Sequence, residues 1–117
     1  MFFYLCDVND IPSVKQFFRT YVYDNFDMNV REIELKYHHT LRVADLCEEI
    51  AMKKGMCEEE INISIIIGLL HDLGRFEQWT KYQTFWDSKS IDHSQLAIDI
   101  LEEYKLFENI PGFHNKI

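Results

Sequence analysis

The chain has 117 residues, 47% of them hydrophobic and 27% charged, with four Gly and two Pro. That is the composition of one globular domain, with no case for disorder or a flexible linker array. Twelve Lys and Arg against twenty Asp and Glu leave a formal charge of −8, which argues against a nucleic-acid duplex or an anionic membrane as partner, because both demand clustered positive charge; a metal cation or a small substrate suits it better.

The start, Met1 to Asp7, is apolar but has no basic residue ahead of it and meets an acid at once, so it does not read as a secretory signal and a cytoplasmic location is expected. Cys6, Cys47 and Cys57 form no Cys-x-x-Cys pair, which fits reduced thiols rather than a disulfide frame. The first helix is expected to open at Asp10, with Pro12 in its first turn, and to run to about Phe26; Val14, Phe17, Phe18, Tyr21 and Val22 give it an apolar side. The second is expected from about Val30 to Lys54, where Gly55 stops it. Two stripes can be read along it. His39, Val43, Leu46 and Ile50 are apolar apart from the histidine, which is therefore expected to point inward; His38, Arg42, Asp45 and Glu49 are polar throughout and are expected to face solvent.

The third helix is expected from about Glu58 to Leu73, apolar nearly all round from Ile61 and so central in the domain. Its apolar run to Leu70 is interrupted by Asn62 and Ser64 and is well short of the roughly 20 residues of a membrane helix. From Gly74 to Ser90 a long loop is expected, with room for a short helix, in which Phe76, Trp79, Tyr82, Phe85 and Trp86 either cover the core or stack on a ligand. A fourth helix follows from Ser90 or Ile91 to about Tyr104, with His93, Ala97, Ile100 and Tyr104 on its inner stripe and Asp92, Gln95, Asp99 and Glu102 outside. No run of alternating β-branched residues competes, so the expected fold is all-α, with helices packed across one another.

His39 alone reads as well as a hydrogen-bonded core residue as it does a ligand. The pair His71-Asp72 is harder to explain away, because it closes an oily helix at the end where the macrodipole disfavours a carboxylate. Something positive must compensate Asp72. A salt bridge to Arg75 or Lys81 is the simpler reading; the other is a divalent metal held jointly by Asp72, His71 and His39. Imidazole and carboxylate ligands suit Mn, Fe, Ni, Co or Zn, whereas Mg prefers oxygen alone. Such an ion polarises a phosphoryl oxygen and lowers the pKa of a bound water, which is the chemistry of hydrolysis.

His39-Thr40-Leu41-Arg42-Val43, then Gly68-Leu69-Leu70-His71-Asp72-Leu73-Gly74-Arg75, then Phe85-Trp86-Asp87-Ser88-Lys89-Ser90-Ile91-Asp92-His93-Ser94 resemble the HD superfamily of metal-dependent phosphohydrolases, over roughly residues 30 to 117. The resemblance implies an orthogonal helical bundle and hydrolysis of a small phosphorylated substrate, a nucleotide or a related ester. It implies His39, His71 and Asp72 as metal ligands, with Asp72 able to bridge two ions, and His93 and His114 as the further histidines used for a second metal or for the phosphate. Asp72 and Arg75 would carry the catalysis, with Arg75 and, one turn before His39, Lys36 binding the substrate phosphate.

The family completes its metal site with a later Asp, and this chain has no Asp after Asp99; Glu102, Glu103 and Glu108 are its only later acids. The expectation is therefore of a single HD-type domain, residues 1–117, cut short at its C-terminus and lacking the last helices of the bundle. Apolar surface on the second and third helices would then lie bare unless a second copy covers it. The alternative to an active hydrolase is a truncated module that binds metal or dimerises without catalysis.

Overall fold

Asp10 starts the first helix with its own side chain: its carboxylate accepts from the Ser13 amide at 3.2 Å and the Ser13 hydroxyl at 2.7 Å, and Pro12 falls in the first turn, where its missing N–H loses no bond. The computed structural model describes residues 10–87 and 92–103, and all regular structure among them is helical: α1 (Ile11–Asn25), α2 (Arg31–Lys53), α3 (Glu58–Leu70), α4 (Gly74–Tyr82) and α5 (His93–Glu103). No described helix is long and apolar enough to cross a membrane. Cys6, Tyr104 and His114 lie outside the described residues.

The apolar side read for α1 is buried in full, at Val14, Phe17, Phe18, Tyr21 and Val22. Phe18 stacks on Tyr37 of α2 with ring centroids 5.2 Å apart and meets Phe76 of α4 edge-on at 6.0 Å. These rings join Ile66, Leu69, Leu70, Leu73 and Leu101 in one core, each fully buried side chain stabilising the fold by about 1.5–3 kcal/mol. α3 runs through the middle of this core, as its apolar sequence implies. Its start is closed by a capping box in which the Cys57 amide donates to the Glu60 carboxylate at 3.1 Å.

The stripe read for α2 is corrected. His39 is exposed, and so are Leu46 and Ile50, each at 54% of its full surface. The buried positions are Ile33, Tyr37, Thr40, Ala44 and Ala51. The reason is the close approach of α3: a Cβ added to Gly68 would stand 2.9 Å from the Ala44 Cα and 3.1 Å from the Cys47 Sγ. Only small residues fit such a seam, so Ala44 is buried there while the larger Leu46 and Ile50 stay in water. Thr40 is tolerated there because its hydroxyl donates to the Lys36 carbonyl at 2.8 Å. The helix ends as expected, with Gly55 at φ +70° and the Met56 amide donating to the Ala51 carbonyl at 3.2 Å.

The stretch after Gly74 differs from the loop expected, since its first nine residues form α4. Gly74 does not end a helix; it lets two elements touch. Its added Cβ would overlap the His93 carbonyl oxygen and stand 3.0 Å from the Leu96 Cβ, so the first turn of α5 rests directly on this backbone. Phe76 is core, while Tyr82 and Trp86 are exposed. On α5, Ala97, Ile100 and Leu101 are buried and Asp92, Gln95, Asp99 and Glu102 exposed, as the stripes imply.

Candidate metal centre

Between α3 and α4 the chain stays helical, with His71 at φ −62°, ψ −32° and Leu73 at φ −55°, ψ −34°, but it tightens: the Leu73 amide bonds the Leu70 carbonyl at 3.1 Å and the Arg75 amide bonds the Asp72 carbonyl at 2.9 Å. Asp72 thus sits after the end of α3 and before the start of α4. The unfavourable dipole of the first is offset by the favourable dipole of the second.

Its carboxylate is 10% exposed and meets four side chains. His71 Nε2 is 3.3 Å from Oδ2 and Lys36 Nζ is 3.8 Å from the same oxygen; His93 Nε2 is 3.5 Å and Arg75 Nε 3.8 Å from Oδ1. Burial pushes the Asp72 pKa up, but the His71 hydrogen bond, followed by the charges of His71, Lys36 and Arg75, outweighs it and holds the group at about 2. The bond to Asp72 in turn raises the pKa of His71 against the opposing effect of burial, with the Asp72 charge and the Gly68 carbonyl adding to the rise. Lys81, one of the two cations expected to balance Asp72, pairs instead with Glu77 at 2.7 Å.

Both imidazoles are oriented through the far nitrogen. His71 Nδ1 lies 3.0 Å from the Gly68 carbonyl oxygen and its Nε2 3.3 Å from Asp72 Oδ2, and since both partners can only accept, the metal-free ring stands between two acceptors. His93 Nδ1 lies 2.8 Å from Asp87 Oδ2 and 3.1 Å from Oδ1, with Nε2 again toward Asp72. The two nitrogens thus approach different oxygens of one carboxylate, and imidazole and carboxylate are donor types that suit a divalent ion of the borderline group.

Of the site residues read from the sequence, Lys36, His71, Asp72, Arg75 and His93 are brought together. His39 is not among the contacts of the carboxylate; it is exposed, one helical turn past Lys36. Arg75 is more committed than expected, since its Nη1 donates to Gln78 Oε1 at 2.9 Å, the Phe85 carbonyl at 2.6 Å and Asp87 Oδ1 at 3.1 Å. Lys36 also lies 5.1 Å from the Phe85 ring centroid, a cation–π contact that joins α2 to the segment after α4.

Asp87 and Gln78 were not singled out by the sequence reading. Gln78 is fully buried, and its Nε2 donates to Asp87 Oδ1 at 2.9 Å. A glutamine in the inner face of an amphipathic helix was the one available signal, since such a group is expensive to bury unless paired. Asp87, Asp92 and His93 also bring one ligand atom each within 4.8 Å of one another. Both acids of this group are exposed, and Asp92 is engaged in starting α5, its Oδ1 accepting from the Ser94 amide at 2.9 Å.

The family model of the HD domain matches residues 37–112. No curated protein and no solved structure matches the chain.

Proposed function

The chain belongs to the HD domain family, and from that premise we propose that it is a metal-dependent phosphohydrolase acting on a small phosphate ester, a nucleotide or a related compound. The observation that supports this reading is the approach of His71 Nε2 and His93 Nε2 to the two oxygens of the buried Asp72 carboxylate, at 3.3 and 3.5 Å, with the far nitrogen of each ring already engaged. These groups would hold a divalent ion, with exposed His39 completing the set from the rim and His114 remaining a candidate from outside the described residues. When bound, the ion supplies a polarised phosphoryl oxygen and a water of lowered pKa.

The protein supplies placement and charge. Lys36 and Arg75 stand 3.8 Å from opposite oxygens of Asp72, where two positive charges balance the charge that develops on a phosphate under attack. Lys36 is the better placed to turn toward a substrate, because Arg75 Nη1 already serves three acceptors. His71 and Asp72 would have to give up the proton between them to hold the ion, so affinity should fall with acid.

The test is metal analysis of the purified protein, thermal melting with added Mn²⁺ or Zn²⁺, and turnover of a panel of phosphate esters. Saturation to about a hundred times Kd should stabilise the fold by about 2.7 kcal/mol, and Asp72→Ala should abolish both the shift and the turnover. A protein that takes up no metal and turns over no ester would sink the reading.

A second reading, a module that pairs with another copy, is favoured by the bare apolar face of α2. Leu46 and Ile50 are exposed there, beside a groove lined by Cys47, Ile50, Met56 and Ile67. Sedimentation tests it: a strict monomer would remove it.

A further inference from the structure

Asp87 lies fifteen residues past Asp72 in the chain and makes no direct contact with its carboxylate, yet it gathers three side chains. Its Oδ1 accepts from Arg75 Nη1 at 3.1 Å and from Gln78 Nε2 at 2.9 Å, and its Oδ2 is the nearer oxygen to His93 Nδ1, at 2.8 Å. Oδ1 thus takes both donors of α4 and a longer contact from His93 Nδ1 at 3.1 Å, while the shorter contact to the ring falls on Oδ2. Arg75 and Gln78 both donate, and both belong to α4, so they fix the carboxylate in rotation as well as in place. Gln78 is fully buried, so its side chain has little freedom to follow a partner that moves. With Oδ1 held by two donors, Oδ2 faces the ring nitrogen of His93, and an ionised carboxylate can only accept.

We propose that Asp87 is the positioning residue of the centre: held by Arg75 and Gln78, it keeps the His93 proton on Nδ1 and so presents a bare Nε2 to the Asp72 side. The inference rests on the metal-site reading for its consequence but not for its geometry. Asp87 acts through His93 and is not itself a ligand in this arrangement. It also gives Arg75 a use that does not depend on substrate, because the guanidinium anchors the residue that orients the ring.

The isosteric change Asp87→Asn gives a sharp outcome. Arg75 and Gln78 still require an acceptor, so the amide oxygen stays on their side and the amide NH₂ turns to His93. That group donates, His93 Nδ1 must accept, and the ring proton moves to Nε2, where it blocks coordination. Metal-free protein labelled with ¹⁵N-histidine reports this directly through long-range ¹H–¹⁵N correlations, with His93 assigned by its absence in His93→Gln. The wild type should show Nδ1 protonated and Nε2 bare, and Asp87→Asn the reverse. Zn²⁺ affinity by calorimetry should fall by about 10–100-fold.

A wild-type His93 with its proton on Nε2 overturns the proposal, and that measurement needs no variant. So does an Asp87→Asn protein, folded by circular dichroism, whose His93 keeps the wild-type form. If the variant does not fold, Asp87→Ala replaces it, and loss of the Nδ1–H form there supports the same conclusion while its retention overturns it. If the proton moves as expected but neither protein binds Zn²⁺, the positioning role stands and the metal reading of the site falls.

Discussion

Lys36 stands on α2, of 23 residues, and His71 and Asp72 follow the end of α3, of 13, and these two helices meet along a seam of small residues. His93 stands on a helix of 11 residues that reaches the same carboxylate through polar bonds to Asp87 and a backbone contact at Gly74. The first half is positioned by apolar packing, so what disturbs it also unfolds the protein. The second half joins the buried Ala97, Ile100 and Leu101 to a few directional bonds at its first turn, so that turn can be displaced while the core survives. A centre built this way has one rigid wall and one adjustable wall, and ligand affinity should depend most on the second.

The largest effect expected on this contrast is at Gly68. A leucine there drives its Cβ to within 2.9 Å of the Ala44 backbone, which cannot yield without moving all of α2; overpacking of this kind costs typically about 1–3 kcal/mol and more where backbone is met. Gly68→Leu should lose about 3 kcal/mol or more in urea unfolding, and Zn²⁺ binding should disappear together with the fold. A stable Gly68→Leu protein would show that the seam is not rigid.

Gly74→Ala tests the adjustable wall with a smaller change. The new methyl overlaps the His93 carbonyl oxygen and comes within 3.0 Å of the Leu96 Cβ, so the first turn of α5 must lift. The stability loss should be about 1–2 kcal/mol, with Zn²⁺ affinity falling more than stability does. If affinity is unchanged while stability falls, His93 is not held by this contact.

Acid sensitivity sharpens the comparison at Asp72, which touches both walls. Its pKa is lowered to about 2 in the folded protein, so the unfolded chain binds the proton first. The stabilisation is then present above the ordinary carboxylate value and is lost as pH falls through about 2. In metal-free protein it amounts to about 2 kcal/mol at neutral pH. Asp72→Asn should remove that acid-dependent part of the stability curve, measured by urea unfolding at a series of pH values. An identical pH profile in the variant would mean that His71, Lys36 and Arg75 do not hold the charge as the distances indicate.

Much of the rigid wall could be read from residues in order. The inner faces of α1 and α5, the end of α2 at Gly55 and the oddity of a His-Asp pair closing an apolar helix all follow from local pattern. Of the adjustable wall, Arg75 and the inward His93 could be read this way, but Gln78 and Asp87 could not. Arg75, Gln78, Asp87 and His93 meet because a glycine lets two helices touch, and the spacing of the four in sequence carries no period that announces it. The face of α2 failed for another reason. Hydrophobic periodicity weighs Leu46 and Ile50 above Ala44 and Ala51, but a seam where α3 comes within backbone contact selects for size before hydrophobicity, and Gly68 was the only local sign of it.

That failure yields the smallest effect and the cleanest contrast. Leu46 and Ala44 are two residues apart on α2, one exposed at 54% and the other buried at 2%. Leu46→Lys should change stability by no more than about 0.5 kcal/mol, as at other exposed sites, although leucine is the more hydrophobic of the two. Ala44→Lys should prevent folding, because the ammonium has neither room nor a partner beside Gly68. Urea unfolding of the pair decides which stripe faces inward. A costly Leu46→Lys in a monomer would restore the hydrophobic stripe and move His39 inward with it. In a protein that self-associates, the cost would depend on protein concentration, and that dependence distinguishes a face covered by another copy from a face packed within one chain.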